Sequence, residues 1–228
     1  MNNDNITLDE NLVSSKREVA NLSDSDIFKK IWTKPRMVME FIDKNEYDKW
    51  LFPILIILGI NTTLGNFIDN DFGGIFTNPA VSITFGLIIG ALLGWISYYI
   101  FAAILKISGS WLGGEATTYE LLRTTTYAVI PTLITAILSL AFQVLSLMEW
   151  GEFLANYTQL IVFIAAVFVI IAIVLFIWSI VNIIVGISVT QNFSIGRSIA
   201  NFFLAIMMIL IPIAFFIYYL VWTKVQYL

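Results

Sequence analysis

Long runs without a charged residue dominate the chain after its first fifty residues. Five such runs cover Trp50–Ile68, Phe72–Leu105, Thr124–Met148, Phe153–Gly196 and Ser198–Thr223. A helix needs about 20 residues to cross about 30 Å of hydrocarbon. The pattern therefore predicts an all-α polytopic membrane protein with five transmembrane helices. We place the spans at about 51–68, 80–105, 124–147, 158–184 and 199–222.

The longest run could hold two spans, but no Gly, Pro, Asn or Asp interrupts Gln159–Val181, so one long helix is favoured. With five spans, every Lys and Arg except Lys224 falls on the same side of the membrane. The positive-inside rule then predicts a cytoplasmic N-terminus and a C-terminus outside. In the third span, Pro131 is the deepest candidate for a kink.

The composition is typical of a membrane protein and excludes several kinds of catalytic and metal-binding site. The 228 residues are 59% hydrophobic and 12% charged, with a mean hydropathy of +0.86, whereas soluble domains have about 45–50% apolar and about 25% charged residues. The chain has no Cys and no His, which excludes thiolate nucleophiles, imidazole bases and the usual zinc or haem ligands. A net charge of −4 without a basic face excludes nucleic acid as a partner. We predict no catalytic residues, no cofactor and no metal, and so no enzyme.

The N-terminal part divides into two segments ahead of the membrane domain at 50–223. Residues 1–22 are predicted to form a disordered polar tail, and residues 23–49 to form cytoplasmic or interfacial amphipathic helices. The Ser23–Asp26 stretch offers an N-cap. Pro35 is expected to end one helix and open the next. This segment is either a connection held at the membrane surface or a docking site for lipid or a partner.

Small residues recur at every fourth position in the second span, at Ser82, Gly86, Gly90 and Gly94. Such a stripe lets a neighbouring backbone approach closely. It predicts a packing seam, either within the bundle or in a homo-oligomer, with a pore or lipid groove as the alternative.

The loop Ser108–Arg123 is the densest polar cluster after the N-terminal part. Gly113-Gly114 permits a tight turn, and Thr117 or Thr118 can cap a short helix. The loop is either a structured turn with surface ion pairs among Lys106, the acids and Arg123, or a cytoplasmic recognition surface.

Three groups of residues resemble the Yip family of membrane proteins (Ypt/Rab-interacting proteins), in particular its bacterial branch, over residues 27–222. The groups are Trp32-Thr33-Lys34-Pro35-Arg36; Gly113-Gly114 with Glu120, Arg123, Tyr127, Ala128 and Pro131; and Trp178 with Gly186, Gln191 and Ser194. The resemblance implies five spans with a cytoplasmic N-terminus, in a bacterial cytoplasmic (inner) membrane. Eukaryotic relatives bind prenylated Rab GTPases. This chain lacks their Tyr-Gly-Pro motif and has Glu115 after the glycine pair.

These observations favour a non-enzymatic scaffold that organises the membrane or binds a partner. Its expected partners are the lipid bilayer and other membrane or cytoplasmic proteins. The candidate cytoplasmic interaction surface is Trp32, Lys34, Pro35, Arg36, Gly113, Gly114, Glu115, Glu120, Arg123, Tyr127 and Pro131. The alternative is a small-solute channel or transporter component, with a path lined by Asn61, Tyr98, Tyr99, Gln143 and Asn182.

Overall fold

A computed structural model of the chain describes residues 22–69, 79–146 and 157–226. Within these ranges every regular element is a helix, as predicted. The helices are α1 (Asp24–Lys30), α2 (Pro35–Lys44), α3 (Leu51–Asp69), α4 (Pro79–Leu93), α5 (Trp95–Trp111), α6 (Thr118–Ala128), α7 (Ile130–Ser146), α8 (Thr158–Thr190) and α9 (Ile195–Gln226). The predicted tail lies outside the described residues except for Leu22, which is buried.

By length and composition, three stretches suffice to cross a membrane: Ile83–Trp111, Thr158–Thr190 and Ile195–Leu220. A fourth crossing is added if α6 and α7 are counted as one bent span. The apolar part of α3, Leu51–Gly65, is shorter. The fold is therefore that of a polytopic α-helical membrane protein.

The third predicted span is not one straight helix. Its first residues belong to α6, and a bend of 64° separates α6 from α7. Pro131 causes the break, because proline cannot donate the backbone bond that would continue the helix. At the break the N–H of Thr132 bonds to the carbonyl of Val129 instead of that of Ala128, and the carbonyl of Ala128 accepts a hydrogen bond from Nδ2 of Asn182 on α8 at 3.4 Å. The kink predicted from Pro131 is present, and it divides the span.

The second predicted span continues as one 29-residue stretch, Ile83–Trp111, with Gly94 in the α-helical conformation where α4 meets α5. At this point α3 and α4 approach so closely that a Cβ on Gly94 would lie 2.1 Å from the Cα of Gly59. A Cβ on Gly90 would lie 2.5 Å from the Cα of Ile60. Only glycine at these positions permits the backbone contact.

The two N-terminal helices begin where the sequence predicts. Ser23 caps α1 in a capping box with Asp26, and Pro35 is the first residue of α2. The apolar side of both helices is fully buried, with Ile27, Ile31 and Ile42 inaccessible to solvent. Because α2 packs on α6 and α8, protein covers the apolar face of α2, a helix that the sequence predicts to be cytoplasmic or interfacial.

Exposure along α8 changes abruptly after Trp178. From Thr158 to Trp178 most side chains are apolar and exposed, whereas Ser179, Asn182 and Thr190 are buried. An exposed apolar helix surface is what lipid covers. The α8 helix therefore has a lipid-facing part and a part that is enclosed by protein.

Candidate functional site

Buried polar side chains are concentrated at one end of the helix bundle. There α1, α2 and α6 meet the last turns of α5 and α8 and the first turns of α9; we call this layer, residues 22–50, 102–128 and 179–205, the cap. All of the buried polar or charged side chains that the structure describes belong to it. They are Ser108, Arg123, Thr124, Thr125, Thr126, Ser179, Asn182, Ser188, Thr190, Gln191, Ser198 and Asn201.

Arg123 of α6 is the one charged side chain in this buried set. Its Nε lies 2.5 Å from Oδ1 of Asp48, and its Nη2 lies 3.4 Å from Oδ2. The Tyr119 hydroxyl donates to the same carboxylate at 3.0 Å, and the guanidinium carbon lies 5.3 Å from the centre of the Tyr119 ring. Asp48 thus compensates the buried charge and joins α6 to the turn that precedes α3.

Tyr127 reinforces the same junction from one turn further along α6. Its hydroxyl accepts a hydrogen bond from the backbone N–H of Trp50 at 3.0 Å, and its ring packs 5.9 Å from that of Tyr47. Since Tyr127 is fully buried, this bond fixes the start of α3 against α6.

The α1 helix is held to this junction through Asp24. Its carboxylate accepts from the Tyr47 hydroxyl at 2.7 Å and from Lys49 Nζ at 2.5 Å. The hydrogen bond from Lys49 is the largest cause of a lowered pKa of Asp24, and the hydrogen bond from Tyr47 lowers this pKa further. Burial and the bond to Asp24 raise the pKa of Tyr47 to about 12.

The glycine pair lies beside Gln191 in the turn between α8 and α9. Gly113 has φ of 81°, the left-handed conformation that the glycine pair predicts. A Cβ on Gly114 would lie 2.0 Å from Oε1 of Gln191, and one on Gly109 would lie 2.1 Å from its Nε2. The same Oε1 accepts from the N–H of Ala116 at 3.3 Å. Gln191 therefore fills the space that three backbone segments leave.

Two further contacts join α5, α6, α8 and α9. The Ser108 hydroxyl donates to Oδ1 of Asn201 at 2.6 Å, which ties α5 to α9. The hydroxyls of Thr124 and Thr190 are 2.7 Å apart and tie α6 to α8. Gly186 makes room for this second contact, because a Cβ there would lie 2.3 Å from Cγ2 of Thr124.

Asp43 at the end of α2 faces this same seam. Desolvation and the neighbouring carboxylate of Glu120 raise the pKa of Asp43, whereas Thr190 and Arg123 partly oppose the shift. Its charge is thus less favourable in the fold than in water.

All the candidate surface residues except Pro131, which belongs to α7, are brought to the cap, but not all of them to its surface. Arg123, Tyr127 and Pro131 are buried, which corrects their assignment to an exposed interaction surface. The exposed members are Lys34, Arg36, Gly113 and Glu115, and the half-buried ones are Trp32, Pro35, Gly114 and Glu120. We call the exposed members the rim.

The expected ion pairs within the loop also differ in their partners. Arg123 pairs with Asp48 rather than with an acid of its own loop. Glu120 instead forms a capping box with Thr117 at the start of α6, where the sequence predicted a cap.

Asp48, Thr190 and Asn201 are cap residues that no motif in the sequence indicates. A buried arginine in an otherwise apolar chain requires an acid, but sequence spacing alone could not indicate Asp48, which lies 75 positions away. Asn201 and Thr190 are polar residues near the ends of long apolar runs, which is a weaker indication that they form buried polar contacts.

The small-residue stripe is outside the cap and faces α3. Gly86 packs beside Leu64, as Gly90 and Gly94 pack beside Ile60 and Gly59. The side chain of Ser82 lies outside the described residues. The three glycines thus meet a helix of the same chain.

The long lipid-facing helices and the polar cap define an integral membrane protein that crosses the bilayer more than once. The family model described as the Yip1 domain matches residues 29–219, so the chain belongs to the Yip1 domain family. The resemblance to the Yip family that the three residue groups indicated is confirmed at the level of the family. No curated protein and no solved structure matches the chain.

Proposed function

We propose that the chain crosses the membrane five times, with the cap in the cytoplasm and the C-terminus outside. The five crossings are α3, α4 with α5, α7, α8 up to Trp178, and α9 beyond the cap. Each crossing has one end at the cap, as is required when successive helices cross the membrane in opposite directions. The shortest, α7 and α3, contain 17 and 19 residues, close to the about 20 that a span needs.

Charge supports this orientation. The described cations belong to the cap, except at the far end of α9. The sequence between α3 and α4 and between α7 and α8 contains Asp71, Glu149 and Glu152 and no cation. The positive-inside rule places a cation-rich end in the cytoplasm. We assign the membrane to the bacterial cytoplasmic membrane because the residue groups resemble the bacterial branch.

We further propose that the cap is a non-enzymatic scaffold that binds a partner or organises the surrounding membrane. One observation carries this proposal: three side-chain contacts, Arg123–Asp48, Ser108–Asn201 and Thr124–Thr190, join separate segments of the cap. Other buried polar atoms there, Ser179 Oγ, Asn182 Oδ1, Gln191 Nε2 and Asn201 Nδ2, have no hydrogen-bond partner among the described residues. The three contacts hold surface residues in fixed positions. The rim residues Lys34, Arg36 and Glu115 are then presented on a rigid support.

Substitution of the rim tests the scaffold proposal without disturbing the buried network. We expect Lys34→Ala, Arg36→Ala and Glu115→Ala together to reduce the proteins or lipids recovered by crosslinking and pulldown. A matched control is Lys29→Ala with Lys44→Ala, two other exposed cations of the N-terminal helices. An unchanged recovery profile in the rim variant, with unchanged melting temperature, would contradict the proposal.

A channel or transporter component is the alternative, and polar residues within the spans motivate it. Asn61 on α3 accepts hydrogen bonds from Ser139 and, at 3.3 Å, from Gln143 on α7. Bonds of this kind join helices within lipid, which supports the scaffold over a solute path. Selective solute flux into liposomes that contain the purified protein would favour the alternative instead.

A further inference from the structure

Two buried polar side chains on one face of α8 have atoms without a hydrogen-bond partner. Ser179 is 2% exposed and Asn182 is fully buried. Neither Oγ of Ser179 nor Oδ1 of Asn182 bonds to a described residue. Residues three positions apart on a helix are neighbours, with Cβ atoms about 5–6 Å apart. The two side chains therefore leave α8 together, at the point where this helix passes from its lipid-facing part into the cap.

The hydroxyl of Ser179 differs from other helical hydroxyls of the chain. Those of Ser108, Thr126 and Ser139 bond to a backbone carbonyl three or four residues earlier in their own helix. Such a bond satisfies a hydroxyl without any partner from outside the helix. Ser179 makes no bond of this kind. Since its side chain is buried, the hydroxyl is directed into the protein interior.

Asn182 is in contact with the break between α6 and α7. There the N–H of Thr132 bonds to the carbonyl of Val129, and the carbonyl of Ala128 accepts from Nδ2 of Asn182 at 3.4 Å. This contact orients the amide, because its nitrogen is directed at the break and its oxygen is left to accept from another group. A broken helix within a membrane protein is tolerated where side chains and ordered water bond to the polar groups around it.

We propose that one water molecule is bound inside the bundle between Ser179 and Asn182, beside the break. The water donates one hydrogen bond to Oδ1 of Asn182 and forms a second with the hydroxyl of Ser179. A buried water typically makes about three hydrogen bonds to polar groups that have no other partner. An acceptor beside a hydroxyl suits water and does not suit an anion. The inference is independent of the proposed topology and scaffold role.

Water-edited solid-state NMR on the full chain in phospholipid vesicles tests this site, because polarisation from water protons reaches only nearby carbons at short mixing times. We expect the signals of Ser179 Cβ and Asn182 Cγ to build up severalfold faster than that of Thr126 Cβ. Thr126 is the matched reference, since it is fully buried and its hydroxyl bonds to the carbonyl of Leu122. Equal build-up at all three carbons would overturn the proposal.

A pair of serine variants tests whether Ser179 and Asn182 share the water. Ser179→Ala removes one of its two hydrogen bonds and should slow the build-up at Asn182 Cγ to the rate of Thr126 Cβ. Ser188→Ala is the matched control on the same helix, because the buried Ser188 hydroxyl bonds to the carbonyl of Phe193, and it should leave Asn182 unchanged. An unchanged rate in Ser179→Ala, or equal slowing in both variants, would overturn the shared site. The comparison with Thr126 needs no substitution and decides the proposal even if a variant folds poorly.

Discussion

Arg123 and Asp48 form a two-point ion pair that joins a buried helix to the turn before the first long helix. The arginine side chain is 5% exposed and the aspartate side chain 38% exposed. The aspartate therefore supplies the counter-charge for a guanidinium that is almost completely excluded from water. The pair therefore joins two segments of the cap at the point where α3 begins.

Removing Asp48 should destabilise the protein more than an ordinary surface mutation does. Asp48→Asn leaves the buried guanidinium without its counter-charge, at a cost of about 2 kcal/mol, since hydrogen bonds to charged groups contribute about 1.5–3 kcal/mol. Thermal unfolding in detergent, followed by size-exclusion chromatography, measures the loss. The control is Glu40→Gln, which breaks the exposed Arg36–Glu40 pair and should cost about 0.5 kcal/mol or less. Equal losses in both variants would contradict the role of the buried pair.

Gly114→Ala should destabilise the cap because the added methyl group would overlap Gln191. Overpacking of this kind typically costs about 1–3 kcal/mol. Gly196→Ala is the matched control, since nothing lies within 4 Å of a Cβ at that position. Gln191→Ala should restore part of the stability in the double variant, as residues in contact are not additive. Strictly additive losses in a double-mutant cycle would show that the two residues do not meet.

Gly94→Ala should disrupt the packing of α3 on α4, because the added carbon would meet backbone rather than a movable side chain. We expect a lower yield of folded monomer and a lower melting temperature, compared with Gly196→Ala as control. The stripe meets α3 of the same chain, so the oligomeric state of the folded fraction should not change. A stable variant that only loses self-association would instead assign the stripe to an interface between copies.

Asp43→Asn should stabilise the protein at neutral pH. Desolvation and the carboxylate of Glu120 raise the pKa of Asp43 in the folded protein above its ordinary value near 3.8. The contribution of Asp43 to the stability of the fold is therefore fully present below pH 3.8 and is lost as the pH rises through the pKa of the folded state. Asparagine removes the charge and keeps an oxygen for Thr190. The difference in melting temperature between variant and parent should be largest at pH 7 and shrink toward pH 4. A variant that is less stable at pH 7 would contradict the sign of this shift.

The sequence predicts those parts of the fold that depend on local patterns. Ser23, Pro35 and Thr117 begin helices as expected, because capping and proline geometry act within one turn. The close packing of the second span on α3 and the break in the third span are harder to predict. The first depends on how Gly59 meets Gly94, and at the second Asn182 donates a hydrogen bond to the carbonyl of Ala128; both contacts join distant parts of the chain.

The sequence indicates which polar residues could form an interaction surface, but not how deeply they are buried. Gly114 and Gln191, from two of the residue groups, are in contact in the cap. The sequence does not distinguish an exposed surface from a buried network, because a polar residue in a loop is expected to be exposed. Tyr127 and Arg123 are buried only because Trp50 and Asp48 supply partners from another segment.

The sidedness of the two ends of the bundle is the most direct test of five crossings with a cytoplasmic cap. Single cysteines at Glu115 and Ser194 mark the cap, and those at Tyr157 and Trp222 mark the opposite end; all four positions are exposed. An impermeant maleimide applied to intact cells should label only Tyr157→Cys and Trp222→Cys, while lysed cells should label all four. Labelling of Glu115→Cys in intact cells, or protection of Trp222→Cys together with a cytoplasmic C-terminal reporter, would contradict the account.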